Sequence, residues 1–261
     1  MSQRLNNLLA DKDKAGEKVL SIYVTAGFPE KNATLDIIFT LIENGVDFIE
    51  LGMPFSDPIA DGPVIQAASQ KALNNGITLN EIFDIVKTVR EKSDIPILLM
   101  GYTNPVFRYG LDAFIQKAAT VKVDGFILPD WPLEENIDYI NQLKKSDLDL
   151  IHLIAPNTPK DRIAQFDEKS TSFIYCVAYT GVTGLNSRIT DETKSFLNHL
   201  KSNLKHPFIV GFGVKTQEDF KNYTQYANGV IVGTRFIQLL ENTHREQRRD
   251  AIIDFVKSLK G

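Results

Sequence analysis

At 261 residues, 43% hydrophobic and 24% charged, the chain has room for one sizeable core and the composition of a soluble globular protein. A formal net charge of −4, with no basic run punctuated by aromatics, argues against nucleic acid as a general partner. Cys176 stands alone, which excludes an intrachain disulfide and a thiolate zinc site and fits a reducing compartment; with no signal-peptide pattern and no apolar run of membrane-spanning length, the expected location is cytoplasmic.

Leu5, Leu8 and Leu9 recur at i, i+3 and i+4 and predict a short amphipathic helix ahead of the first strand, which is read at 19–25. Short apolar runs follow at 47–51, 96–100, 124–128, 148–154, 173–177, 207–211 and 229–232, making eight with the first. Helix-patterned segments lie between them at 33–43, 81–91, 111–119, 134–144, 191–202 and 216–223, and 245–260 reads as a closing helix. The alternation predicts an α/β fold with a parallel sheet and helices outside it. Eight repeats predict one closed (β/α)8 TIM barrel filling residues 1–261 as a single domain, with an open doubly wound sheet as the alternative. Two connections exceed the minimal unit. One has room for an extra helix at 64–73, after the second strand. The other, 178–189, is long, polar and glycine-bearing, and reads as a lid over the C-terminal face or as a surface loop.

The second strand runs into the most distinctive segment of the chain. Glu50 interrupts an apolar run, and a carboxylate there is costly to bury unless it is paired or placed in a site. Gly52, Pro54, Pro58, Gly62 and Pro63 then forbid regular structure and deliver Asp61 at the mouth of the next helix, eleven positions beyond Glu50. The two acids read either as a satisfied core glutamate and a helix cap, or as a catalytic pair. Two glycine pairs, Gly211 with Gly213 and Gly233 before Thr234, end the seventh and eighth strands, where barrels of this kind often hold a phosphate; tight turns are the alternative.

The segment Glu50-Leu51-Gly52-Met53-Pro54-Phe55-Ser56-Asp57-Pro58-Ile59-Ala60-Asp61-Gly62-Pro63 closely resembles the signature of the tryptophan synthase alpha chain, with every fixed position present. Further matching stretches are Tyr23-Val24-Thr25-Ala26-Gly27, Met100-Gly101-Tyr102-Thr103-Asn104-Pro105, Pro129-Asp130-Trp131-Pro132-Leu133-Glu134-Glu135 and Gly181-Val182-Thr183-Gly184, so the resemblance covers essentially the full length. Tyr23, Trp131 and Thr234 depart from commoner choices at their positions.

The resemblance implies retro-aldol cleavage of indole-3-glycerol phosphate to indole and glyceraldehyde 3-phosphate. The residue inventory agrees with it. The eight apolar runs carry no interior lysine for an imine, and His152, His199, His206 and His244 are too scattered for a metal aldolase site, so the substrate must supply its own electron sink. His152, within a strand, is expected to be a paired core histidine. By resemblance Glu50 and Asp61 are the catalytic pair. Glu50 is expected to move protons from a half-buried position that raises its pKa, and Asp61 to accept the indole N–H as a carboxylate. Tyr175 is expected to orient Glu50 or touch the glycerol oxygens. Gly184, Gly213, Gly233 and Thr234 are expected to hold the phosphate, and Thr183 to bring the lid to Asp61. Tyr23, Met100, Ile127, Leu153, Phe212 and Ile231 are expected to line an apolar slot, with ordinary core as the alternative for each.

Met53, Phe55, Ile59, Val106, Phe107, Trp131 and Leu133 read as exposed apolar residues at the same end, and with Asp57 they form an expected partner surface. The resemblance makes that partner the tryptophan synthase beta chain in an α2β2 heterotetramer. Pyridoxal phosphate is then expected in the beta chain and no cofactor in this one. A stand-alone lyase releasing free indole, and a non-catalytic activator of a beta chain, are the alternatives.

Overall fold

In a computed structural model that describes residues 1–177, 189–211 and 213–260, eight parallel strands close into a barrel in sequence order. The strands are β1 (Val19–Thr25), β2 (Phe48–Gly52), β3 (Ile97–Met100), β4 (Gly125–Ile127), β5 (Asp149–Ile154), β6 (Ile174–Val177), β7 (Phe208–Gly211) and β8 (Gly229–Val232). Nearly every strand residue is buried, as expected of strands covered by side chains inside and helices outside.

One parity runs around the whole barrel. Tyr23 pairs in register with Glu50, Gly52 with Met100, and Met100 with Ile127. On the far side Leu153 pairs with Tyr175, Gly211 with Ile231, and Ile231 with Ser21, two residues before Tyr23. Side chains alternate along a strand, so these residues share the inner face and their neighbours in sequence face the helices.

The outer layer begins with α1 (Gln3–Ala15) and α2 (Thr34–Glu43). Two helices, α3 (Pro63–Asn74) and α4 (Leu79–Arg90), follow β2, matching the extra helix expected there. Pro63 opens α3 at a position where its missing N–H costs nothing, and Thr78 and Glu81 cap α4 reciprocally. The layer continues with α5 (Thr103–Tyr109), α6 (Leu111–Thr120), α7 (Leu133–Lys145), α8 (Lys160–Lys169), α9 (Asp191–Asn203), α10 (Gln217–Thr224), α11 (Thr234–Glu241) and α12 (Arg248–Lys260). Helices α5, α8 and α11 were not expected from the sequence, and the closing helix begins later than 245, after a short 3-10 turn at Arg245–Gln247. None of the described helices is long and apolar enough to cross a membrane.

Helix α1 is tied to the N-terminal face of the barrel by two fully buried carboxylates. The Ser2 hydroxyl caps α1 and donates to Asp124 at 2.5 Å, and the Ser2 amide donates to Asp149 at 3.2 Å. Asp124 also receives Arg4, Arg90 and the Ile97 amide, so its charge is compensated from three elements. A cavity of about 1140 Å³ forms a groove at this end, lined by α1 and by the approaches to β5, β6, β7 and β8. It lies at the opposite face from Glu50 and Asp61, because those approaches precede their strands while Glu50 and Asp61 sit at and beyond the end of β2.

Candidate active site

Glu50 lies on the inner face of β2, two residues from the strand's C-terminal end, and is 0% exposed. This is full burial rather than the half-burial expected from sequence. Neither carboxylate oxygen has a hydrogen-bond partner among the described residues. Desolvation alone pushes its pKa up to about 8, so the side chain is protonated at neutral pH.

Two phenols flank it. Tyr23 lies beside Glu50 on β1, and its ring leans over the end of β2: a Cβ at Gly52 would stand 2.2 Å from the Tyr23 hydroxyl. Tyr175 does the same from β6, its hydroxyl 2.0 Å from where a Cβ of Gly211 would be. The two strand-end glycines therefore make the space that the phenols occupy. Burial and the nearby Glu50 and Asp61 hold both phenols far above the ordinary tyrosine range, so they remain neutral donors.

Asp61 reaches the same space from the β2–α3 connection. It is not a helix cap: the N-cap of α3 is Gly62, and no side chain among the described residues caps that helix. Burial pushes its pKa up to about 6, while the Tyr102 hydroxyl favours the ionised form. Asp61, Tyr23, Met100 and Tyr102 line one small cavity at the mouth together with Met53, Phe55 and Pro129.

Met100, Ile127 and Ile231 are buried on the inner face, and Leu153 is partly exposed at its upper end. Gly213 has φ +85°, a left-handed conformation suited to glycine. Gly233 is the N-cap of α11 and Thr234 its first residue; no side chain among the described residues caps this helix end, so its amides face the mouth without a side-chain acceptor among them. Thr183, Gly184 and Phe212 lie outside the described residues.

The apolar surface expected at this end is narrower than the sequence suggested. Met53, Val106, Trp131 and Leu133 are buried within the chain, Phe55 is half-buried, and Ile59 and Phe107 are exposed. Trp131 turns inward against Tyr139 and holds Phe107 edge-on at 6.2 Å. Asp57 is exposed and bonded to Ser56. His152, of the opposite parity to Leu153, stacks on Phe166 of α8 at 5.2 Å; its buried Nε2 has no partner among the described residues, which corrects the expectation of a paired histidine. Burial and Arg162 hold its pKa down at about 4. Tyr102 is not marked by the sequence, although it stands inside one of the matching stretches, because nothing local to it points to Asp61.

A parallel barrel with a buried protonated glutamate and a second carboxylate at its C-terminal mouth is an acid–base enzyme of the (β/α)8 class. The family model described as "Tryptophan synthase alpha chain" matches residues 9–260, and the chain belongs to that family. The tryptophan synthase alpha chain of Flavobacterium johnsoniae is 43% identical over 91% of this chain and 94% of its own. That of Caldanaerobacter subterraneus is 40% identical over 98% of each. Among solved structures, tryptophan synthase subunit alpha from Legionella pneumophila superposes with a TM-score of 0.90 at 33% identity, over 100% of this chain and 97% of that one. A chain of the tryptophan synthase complex from Pyrococcus furiosus gives 0.85 at 36% identity, over 93% and 98%.

Proposed function

We propose that this chain cleaves indole-3-glycerol phosphate as the alpha subunit of tryptophan synthase, with Glu50 as proton carrier and Asp61 as the acceptor for the indole N–H. The observation that carries this is Glu50 itself: a buried carboxyl protonated near neutrality, at a strand end beside a second acid. Protonated Glu50 gives its proton to indole C3. The positive charge that develops on the ring is stabilised through the N–H by the Asp61 carboxylate, which is mostly ionised above pH 6. The bond from C3 to the glycerol carbon then breaks and its electron pair returns to the ring. The hydroxyl proton on the departing carbon passes to the Glu50 carboxylate, restoring the acid and leaving an aldehyde. Tyr175 stays a neutral donor positioned for the glycerol oxygens.

The Gly213 turn and the α11 N-terminus at Gly233 and Thr234 suit the phosphate, since helix-end amides and the helix dipole both favour an anion. Tyr23, Met100, Ile127, Leu153 and Ile231 share the inner face and suit a flat apolar ring. The released indole would pass to a beta chain docked over the mouth. That partner carries the pyridoxal phosphate chemistry, and the location is cytoplasmic. Cleavage of indole-3-glycerol phosphate, measured with and without a beta chain, tests this. Glu50→Gln should keep substrate binding and lose about 1000-fold or more in kcat, because an amide cannot shuttle a proton. Near wild-type turnover by the folded variant would overturn the assignment.

A further inference from the structure

Tyr102 sits where β3 ends and α5 begins, as the N-cap of that helix, and is 4% exposed. Its side chain crosses to the β2–α3 connection and touches it twice. The Ala60 amide donates to the Tyr102 hydroxyl at 3.0 Å, and the rings of Tyr102 and Phe55 lie 5.6 Å apart. With its acceptor role taken by Ala60, the hydroxyl has its own proton to offer, and Asp61 is the carboxylate it faces. The next residue ties Tyr102 to a second loop: the Thr103 amide and hydroxyl both donate to Asp130, at 3.0 and 2.8 Å. Asp130 directly precedes Trp131, against which the exposed Phe107 packs.

We infer that Tyr102 is a positioning residue for the reaction: its hydroxyl holds the loop that carries Asp61 through the neighbouring Ala60 amide, and the Thr103–Asp130 clamp joins it to the loops at the partner face. The inference rests on the proposed function and names how that site is held. Docking that shifts the Asp130 loop or α5 would move Tyr102, and with it Asp61, without touching Glu50. The groups that face Asp61 from the surrounding described elements are Tyr23 on β1, Tyr102 at the end of β3 and Tyr175 on β6, with Asp130 behind Tyr102 and Glu50 on the far side of Tyr23 and Tyr175. The phenol at 102 is the one among them that bonds the Asp61 loop directly.

The test is Tyr102→Phe, which keeps the ring and removes the hydroxyl, beside Asp130→Ala, which cuts the clamp and leaves the hydroxyl. Each is assayed on indole-3-glycerol phosphate from pH 5 to 9, alone and with a beta chain. Loss of the phenol bond should raise the pKa of Asp61, so the acidic limb of kcat should move upward by about half a pH unit or more in Tyr102→Phe, with kcat at pH 7 falling about tenfold and KM changing less. Asp130→Ala should move kcat in the same direction by a smaller factor and reduce the stimulation given by the beta chain. A folded Tyr102→Phe with an unmoved acidic limb and kcat within twofold of wild type overturns the role of Tyr102. An inactive wild-type chain, with and without beta chain, overturns the proposed function instead.

Discussion

Burial of Glu50 sets a stability that depends on pH, with a definite sign. Its pKa is raised on folding, so between the unfolded value near 4.5 and the folded value near 8 the native state binds the extra proton, and stability falls as pH rises through that window. Glu50→Gln removes the ionisable group. Its unfolding free energy should exceed that of wild type by an amount that grows from pH 5 to pH 8, reaching on the order of 4 kcal/mol at full ionisation. Urea titrations at pH 5, 6.5 and 8 measure this, and a constant gap across the series would mean that Glu50 is not desolvated. Gly52 offers a second check at this scale. Gly52→Ala places a methyl group against the Tyr23 hydroxyl and should displace that ring from above Glu50, lowering kcat/KM about tenfold or more. Glu50 was legible because a lone carboxylate in an apolar run announces itself. Tyr102 was not, since its role depends on a hydroxyl reaching a loop 42 residues earlier in the chain.

Elements were legible where an apolar stripe or a buried run marks them. The eight strands lie where the apolar runs are, and most helices begin and end within two residues of the expected limits. Helix α8 escaped notice because its inner face is partly polar. Asp167 is buried there and accepts the Lys205 and His206 amides, so the periodic signal is broken by a residue that reads as surface. Helix α5 is seven residues long with Pro105 in its first turn, which looks like a turn in sequence. The anchoring of α1 was equally hidden, because it joins Ser2 to Asp124 across 122 residues. Asp124→Ala would leave Arg90, which is nearly buried, without its carboxylate, and would free the Ser2 cap. It should cost about 3–5 kcal/mol of unfolding free energy, measured by urea denaturation, while KM for the substrate changes little because the mouth lies at the other end.

At the scale of the whole molecule the barrel separates its two ends. The N-terminal end is braced by buried carboxylates and α1; the C-terminal end gathers the acids, the glycine turns and the exposed apolar residues Ile59 and Phe107. Phe107 is 49% exposed and supported from beneath by Trp131, so it is ready to enter a pocket on a partner without first being ordered. Phe107→Asp should weaken binding to a beta chain about tenfold or more in a calorimetric titration; unchanged affinity would remove α5 from the docking surface.

Chain length is fixed wherever the common parity runs. One residue added inside β2 before Glu50 would turn that carboxylate out into the buried layer under the helices and bring an apolar neighbour into the barrel, so the site would lose its acid and the packing on both faces would be disturbed. Hydrophobicity would be nearly unchanged while the chemistry disappeared. Insertions between strands carry no such penalty, because each strand keeps its own phase as long as its connection can reach. In a library of single-residue insertions selected for growth without tryptophan, survivors should therefore be absent from residues 48–52 even where the inserted residue is apolar, and should collect in surface connections such as the one between α4 and β3.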